Sequence, residues 1–100
     1  MIPSWTRAYV GAPYRADGVG GYSCGSLIQT IYRNVYGIDI GDLMVAATTP
    51  EWVKLDRQLE QVGDVLVFQQ DRSLLHIGMV VMNGRMIHAD ENLGVTIEPY

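Results

Sequence analysis

The order of the sequence patterns predicts an α+β fold, with helices in the first half of the chain and an antiparallel sheet in the second. One segment, residues 24–36, repeats its apolar residues with the 3.6-residue period of a helix. Four β-rich segments follow from residue 64 onward, and the turn signal Asn83-Gly84 separates two of them. Helices followed by neighbouring strands favour a meander over an alternately wound parallel sheet.

The segment 24–36 is the strongest helix candidate. Its apolar residues recur at spacings that place them on one helix face. Ser23 is the predicted N-cap and Gly37 the predicted stop, because serine caps helix starts and glycine accepts the left-handed conformation that follows many helix ends. The apolar face consists of Cys24, Leu27, Ile28, Ile31, Tyr32 and Val35.

The remaining segments give weaker patterns. Residues 3–10 predict a short helix, because Pro3 suits a first helical turn. Residues 11–21 are rich in glycine and are predicted to form a loop. Residues 42–62 fit either a short helix or a short strand, and both interpretations stay open. The four predicted strands cover residues 64–70, 75–81, 85–89 and 94–98.

Composition limits the class of protein. A chain of 100 residues with 48% apolar and 18% charged residues suits one compact domain, predicted over residues 1–100. The net charge of -4 and the lack of a basic run argue against nucleic acid and against an anionic membrane surface as partners. The first residues lack the basic and apolar regions of a secretory signal. Either the chain is made without one, or it is a domain of a longer protein.

Cys24, the only cysteine, lies at the predicted start of a helix. Unpaired N–H groups and the positive end of the helix dipole favour a thiolate there, and they can stabilise an oxyanion. The alternative is a buried structural cysteine, since free cysteine is among the most buried residue types. A Cys-His-His metal site is a third option, but it lacks a close ligand pair such as CxxC. No metal and no cofactor are predicted.

The chain has two histidines, His76 and His88, one in each strand of the predicted hairpin. They can act as base and orienting residue for a cysteine only if they share a face of the sheet. A plain two-residue turn puts them on opposite faces. An odd-length or bulged turn sets His88 opposite Gly78, with His76 as its diagonal neighbour on the same face. The expected form is a three-residue loop that pairs Val81 with Arg85.

Four stretches together resemble the NlpC/P60 cysteine peptidases, a papain-like family that cleaves bacterial cell-wall peptides. They are the loop and helix start "GAPYRADGVGGYSCGSL", the helix exit "YGIDI", the strand "VGDVLVF" and the hairpin "HIGMVVMNGRMIHA". The hairpin, with its spacing of twelve between the histidines, is the most specific. The phage tail-tip members of this family are similar in their short chain length and in the segment "NGRMIHA".

The resemblance implies a papain-like NlpC/P60 fold with a catalytic triad. By position, Cys24 matches the nucleophile, His76 the general base and His88 the residue that orients it. Tyr14 matches a loop tyrosine that lines the cleft, and Ser23 and Gly25 flank the nucleophile as further substrate-binding positions. The implied substrate is a peptidoglycan stem peptide, cleaved for example between γ-D-glutamate and diaminopimelate. Other phage tail proteins are the implied protein partners.

The helix start departs from the family pattern. The family usually has Asp-Cys-Ser-Gly where this chain has Ser23-Cys24-Gly25-Ser26. This departure supports a non-catalytic role, whereas the retained Cys24, His76 and His88 support the leading hypothesis, a cysteine peptidase that works through an acyl-enzyme. Its rival is a structural or cell-wall-binding module that keeps the fold without useful catalysis.

Overall fold

A computed structural model describes residues 1–41, 58–70 and 73–100. Within these residues, helical segments precede four strands, as the sequence predicted; the expectations for residues 42–57 lie outside the described residues. The elements are a 3₁₀ helix (Ser4–Ala8), helix α1 (Cys24–Ile31), a π-helical turn (Tyr32–Tyr36), and strands β1 (Val65–Gln70), β2 (Ser73–Met82), β3 (Arg85–Asp90) and β4 (Gly94–Pro99).

Helix α1 begins with a reciprocal cap. The Ser23 hydroxyl accepts a hydrogen bond from the Ser26 N–H, and the Ser26 hydroxyl accepts one from the Ser23 N–H. The helix continues into the π-helical turn, which ends at Gly37 with a φ of 68°. The predicted cap and stop are confirmed, and the predicted helix is confirmed with its last five residues in π-helical form.

The four strands form one antiparallel sheet in the order β1-β2-β3-β4, so each strand pairs with the next one in sequence. Helix α1 packs on one face of strands β2 and β3. Burying the apolar stripe of α1 against these strands removes apolar surface from water and holds the helix in place. This core consists of Tyr9, Leu27, Ile28, Ile31, Ile77, Met79, Val81, Ile87, Ala89 and Val95.

The hairpin between β2 and β3 carries a bulge. Met82 pairs with Arg85 at the turn. Three residues earlier in β2, Met79 pairs with Ile87, which is only two residues further along β3. Strand β2 therefore contains one extra residue between these pairs. The predicted pairing of Val81 with Arg85 is wrong, and the predicted bulged turn is confirmed.

The backbone conformation at Asn83 and Gly84 explains why the hairpin does not close with an unbulged type I′ turn. A type I′ turn needs positive φ at both central residues. Gly84 has a φ of 77°, whereas Asn83 does not have a positive φ. The register that results places His88 opposite Gly78, as predicted. A Cβ built on Gly78 would lie 2.8 Å from the Met86 sulfur and 3.5 Å from the Cβ of His88, so the glycine leaves room chiefly for Met86, while the contact with His88 is an ordinary one.

The loop before α1 attaches to the start of β4. The Val95 N–H donates to the carbonyl of Ala12, and the Gly11 N–H donates to the carbonyl of Val95. A Cβ on Gly94 would lie 2.4 Å from the Ala12 carbonyl oxygen, so this close approach needs glycine. The attachment holds the first residues of this loop at the end of the sheet where β4 begins. In the described parts of the chain, no helix has the length and apolar character to cross a membrane.

Candidate active site

Cys24 is the first residue of α1, and its side chain is partly buried. The cap uses the Ser26 N–H, and the Leu27 N–H donates to the carbonyl of Ser23. Among the described residues, the N–H groups of Cys24 and Gly25 find no acceptor. Two unpaired donors at the positive end of the helix dipole therefore lie beside the thiol, which is the arrangement that stabilises an anion.

The two histidines contact each other directly. His76 Nε2 lies 2.7 Å from His88 Nδ1, and the two rings meet edge to face with centroids 4.9 Å apart. The bulged hairpin makes this contact possible because it brings both side chains to one face of the sheet. His88 is buried, with 4% of its surface exposed. Since Nε2 of His76 is used in this contact, its Nδ1 is the ring nitrogen left for another partner.

The surroundings of His76 favour its neutral form. Burial and the positive charge that His88 can carry lower the pKa of His76 from its usual 6.5, while the carboxylates of Asp90 and Glu98 oppose this shift. The ring of Phe68 lies beside it, with centroids 6.1 Å apart. A neutral imidazole can take up a proton, so the site supplies a candidate general base.

Glu98 is a member of this cluster that the sequence reasoning missed. Its Oε2 lies 2.8 Å from His88 Nε2, so His88 lies between the carboxylate and His76. On β4, Thr96 is the direct partner of His88, and Glu98 lies two residues further on the same face. A register count from the predicted strand 94–98 could have identified it, since that strand follows His88 after a short turn.

Comparisons with known proteins decide the family. The protein-family sequence model described as "NlpC/P60 family" matches residues 11–100 of the chain. The chain belongs to the NlpC/P60 family. The "Probable endopeptidase NlpC homolog" of Haemophilus influenzae is 30% identical over 102 residues, which cover 96% of this chain and 51% of that protein. The chain therefore spans about half the length of this curated relative.

A solved structure gives the same result for the fold. The crystal structure of the NlpC/p60 domain of peptidoglycan hydrolase SagA matches with a TM-score of 0.80 and 25% sequence identity. The match covers 94% of this chain and 82% of that chain. It confirms the predicted NlpC/P60 fold, in which helix α1 packs on the four-stranded antiparallel sheet.

The NlpC/P60 fold brings the two predicted histidines together. His76 and His88 are in hydrogen-bonding contact. Within the described residues, no hydrogen bond joins Cys24 to either histidine. The loop before α1 attaches to Val95, next to the residue opposite His88. The complete triad stays a prediction.

The predicted substrate-binding residues lie around the helix start. Tyr14 packs in part against the core, and its backbone forms a bridge with Tyr22 in the loop before α1. Gly25 is the second residue of α1, and the hydroxyl of Ser23 is engaged in the cap. No substrate contact of these residues is tested, so their role stays a prediction.

The departure from the usual NlpC/P60 helix start has a structural explanation. Ser23 stands where the family usually has aspartate, and both residue types are strong N-caps. Ser26 stands where the family usually has glycine, and its hydroxyl completes the reciprocal cap. A Cβ on Gly18 would lie 3.3 Å from the Ser26 hydroxyl oxygen, so the loop packs closely over this side chain. The extra side chain of Ser26, compared with the family's usual glycine, is accommodated by Gly18 in the loop.

Proposed function

We propose that residues 1–100 form one catalytic domain of a cysteine peptidase that hydrolyses amide bonds in peptidoglycan stem peptides. The observation that carries this proposal is the 2.7 Å contact between His76 and His88. Cys24, the proposed nucleophile, is the first residue of α1. The printed names of the two relatives, an endopeptidase homolog and a peptidoglycan hydrolase, support the substrate class.

The proposed reaction uses Cys24 as nucleophile and His76 as base. Nδ1 of His76 takes the thiol proton, and the Cys24 sulfur attacks the carbonyl carbon of the scissile amide. The Cys24 N–H donates to the oxyanion of the tetrahedral intermediate. His76 then gives its proton to the leaving amine, and the acyl-enzyme remains.

Water completes the cycle. His76 removes a proton from a water molecule, whose oxygen attacks the thioester carbonyl. Collapse of the second intermediate releases the carboxylic acid and returns the proton to Cys24. His88 accepts a hydrogen bond from the Nε2–H of His76 throughout, which holds the imidazole ring in one orientation. This scheme needs no metal and no cofactor.

The rival function is a wall-binding module without useful catalysis. The observation that favours it is the lack of a hydrogen bond between Cys24 and a histidine among the described residues. Binding to phage tail proteins, which the resemblance to tail-tip members implies, stays a prediction for either function.

Incubating purified muropeptides with the wild type and with Cys24→Ala tests the proposal. The wild type is expected to cleave a stem-peptide amide, and the masses of the products identify the bond. Cys24→Ala should lose activity by at least about 10⁴-fold, because the nucleophile is removed. Ser4→Ala, a change of similar size at an exposed residue of the 3₁₀ helix, is the control and should remain active.

Two outcomes separate the hypotheses. A Cys24→Ala protein with wild-type turnover contradicts the proposed mechanism. A wild type that binds peptidoglycan, leaves it uncleaved and binds as well after Cys24→Ala supports the wall-binding module.

A further inference from the structure

The carboxylate of Glu98 completes a line of three side chains that crosses three strands. It lies 2.8 Å from His88 Nε2, and His88 Nδ1 lies 2.7 Å from His76 Nε2. The Glu98 side chain is 38% exposed, whereas that of His88 is 5% exposed. The buried imidazole in the middle therefore has both ring nitrogens occupied by protein partners.

The donors and acceptors in this line determine which imidazole nitrogens carry protons. An ionised carboxylate only accepts hydrogen bonds, so the His88 nitrogen that faces Glu98 must carry a proton. In neutral His88 the other nitrogen, Nδ1, is then an acceptor. It can pair with His76 only if Nε2 of His76 carries that ring's proton. Nδ1 of a neutral His76 is then bare, and this is the state that a general base requires.

We propose that Glu98 is a positioning residue that fixes the tautomers of both histidines and so keeps Nδ1 of His76 free to take the Cys24 proton. This role rests on the proposed peptidase function. Glu98 touches no reacting atom and acts through His88.

The competing proton arrangements are disfavoured by the same carboxylate. In the opposite tautomer of His88, a bare Nε2 would face a carboxylate oxygen at 2.8 Å, which places two lone pairs against each other. Such a tautomer would also put the proton of His76 on Nδ1 and block its use as a base. An apolar side chain at position 98 would not distinguish the two arrangements.

The other carboxylate near the histidines is occupied elsewhere. The side chain of Asp90 accepts hydrogen bonds from the N–H groups of Asn92 and Leu93, at 2.8 and 2.9 Å. These bonds belong to the turn between β3 and β4, and they lower the pKa of Asp90. Asp90 contributes charge near His76, but within the described residues Glu98 is the carboxylate in contact with an imidazole nitrogen.

Nitrogen NMR of the imidazole rings provides a test that does not depend on activity. The chain has two histidines, so long-range proton–nitrogen spectra of labelled protein resolve both tautomers at neutral pH. The wild type should show each ring protonated on Nε2 alone. Glu98→Gln should keep this pattern, because its amide oxygen can accept the same hydrogen bond. Glu98→Leu should show mixed tautomers, and Glu98→Ile provides a second acceptor-free side chain if leucine disturbs the strand.

Muropeptide kinetics add the functional measurement. Glu98→Leu should lower kcat/KM about tenfold, less than the roughly 10⁴-fold effect of a buried carboxylate that contacts the catalytic histidine itself. Glu98→Gln should recover most of this loss. Glu91→Gln, which removes an exposed carboxylate from the turn between β3 and β4, is the matched control and should behave as wild type.

The positioning role is overturned if Glu98→Leu keeps the wild-type tautomers, if wild-type His88 carries both protons at neutral pH, or if Glu91→Gln loses as much activity as Glu98→Leu. A wild type that cleaves no muropeptide counts against the proposed peptidase function instead. In that case the NMR spectra still decide whether Glu98 sets the tautomers.

Discussion

The two halves of the candidate site are built in different ways. The histidine half lies on neighbouring strands, and its contacts join residues 10 and 12 positions apart in sequence. The cysteine half lies at a helix start, and its contacts join Ser23 and Ser26, three positions apart. One half depends on strand register and the other on local capping.

The difference predicts how each half responds to mutation. A change in strand register or strand packing moves an imidazole relative to its partners and should affect chemistry more than stability. A change in the cap removes local hydrogen bonds that hold the helix start and should affect stability more than chemistry.

Among changes to the strand contacts and to the helix cap, the largest effect is expected at His88. His88→Leu removes the acceptor that holds His76, and kcat/KM should fall by about 10²- to 10⁴-fold, the range that general-base catalysis contributes. His88→Asn should recover part of the activity, because its amide oxygen can accept from the Nε2–H of His76. Steady-state kinetics on muropeptides measures both variants, and equal losses would contradict the orienting role.

A smaller effect is expected at Gly78, the residue opposite His88. Gly78→Val adds atoms where even a Cβ would lie 2.8 Å from the Met86 sulfur and 3.5 Å from the His88 Cβ. Overpacking should lower the free energy of unfolding by about 1–3 kcal/mol, and displacement of His88 should lower kcat/KM more than tenfold. Thr96→Val, a nearly isosteric change at the residue that pairs with His88 on β4, is the control. Denaturant titration and kinetics of both variants give the comparison; a fully active Gly78→Val would contradict it.

A pH-dependent effect on stability is expected from His76. Burial and His88 lower the pKa of His76 below 6.5, so the unfolded chain binds this proton more readily than the folded one. The wild type should therefore lose stability as the pH falls from about 7 to 5, through the usual pKa of histidine and towards the lowered one. His76→Gln should lose less over the same range.

The lowered pKa of His76 should also change how activity depends on pH. Because neutral His76 persists below pH 6.5, the acid limb of kcat/KM should lie below that value. Urea unfolding at several pH values and a pH–rate profile measure the two effects. Asp90 does not interfere with the unfolding data, since its pKa is lowered from 3.8 and it stays ionised over this range. A stronger pH dependence in His76→Gln than in the wild type would contradict the prediction.

The smallest effect on activity is expected at the helix cap. Ser26→Ala removes the hydroxyl that accepts from the Ser23 N–H, and stability should fall by about 1 kcal/mol. Activity should stay within a few-fold of wild type, because no histidine contact is lost. Thermal unfolding and kinetics measure the two quantities. A large loss of activity with unchanged stability would show that Ser26 has a catalytic role.

Local sequence chemistry predicted the elements well. Ser23 and Gly37 bound the helical segment as expected, and the four strands appear where their β-rich patterns lie. These features follow from contacts within a few residues, such as a hydroxyl that caps its own helix or a glycine that accepts a left-handed φ. The bulged turn was also predictable, because a shared face for the two histidines requires it.

Tertiary structure decided the rest. The hairpin places its extra residue inside β2 rather than in a three-residue loop, although the positive φ of Gly84 also suits the third position of such a loop. The contact between Glu98 and His88 depends on how β4 pairs with β3, and a one-residue slip would turn the carboxylate to the other face. The position of Cys24 depends on how α1 packs on the sheet. By itself, the sequence determined which elements carry Cys24, His76 and His88, but it did not identify Glu98. Their distances were decided only by pairing and packing, because those contacts join residues that are far apart along the chain.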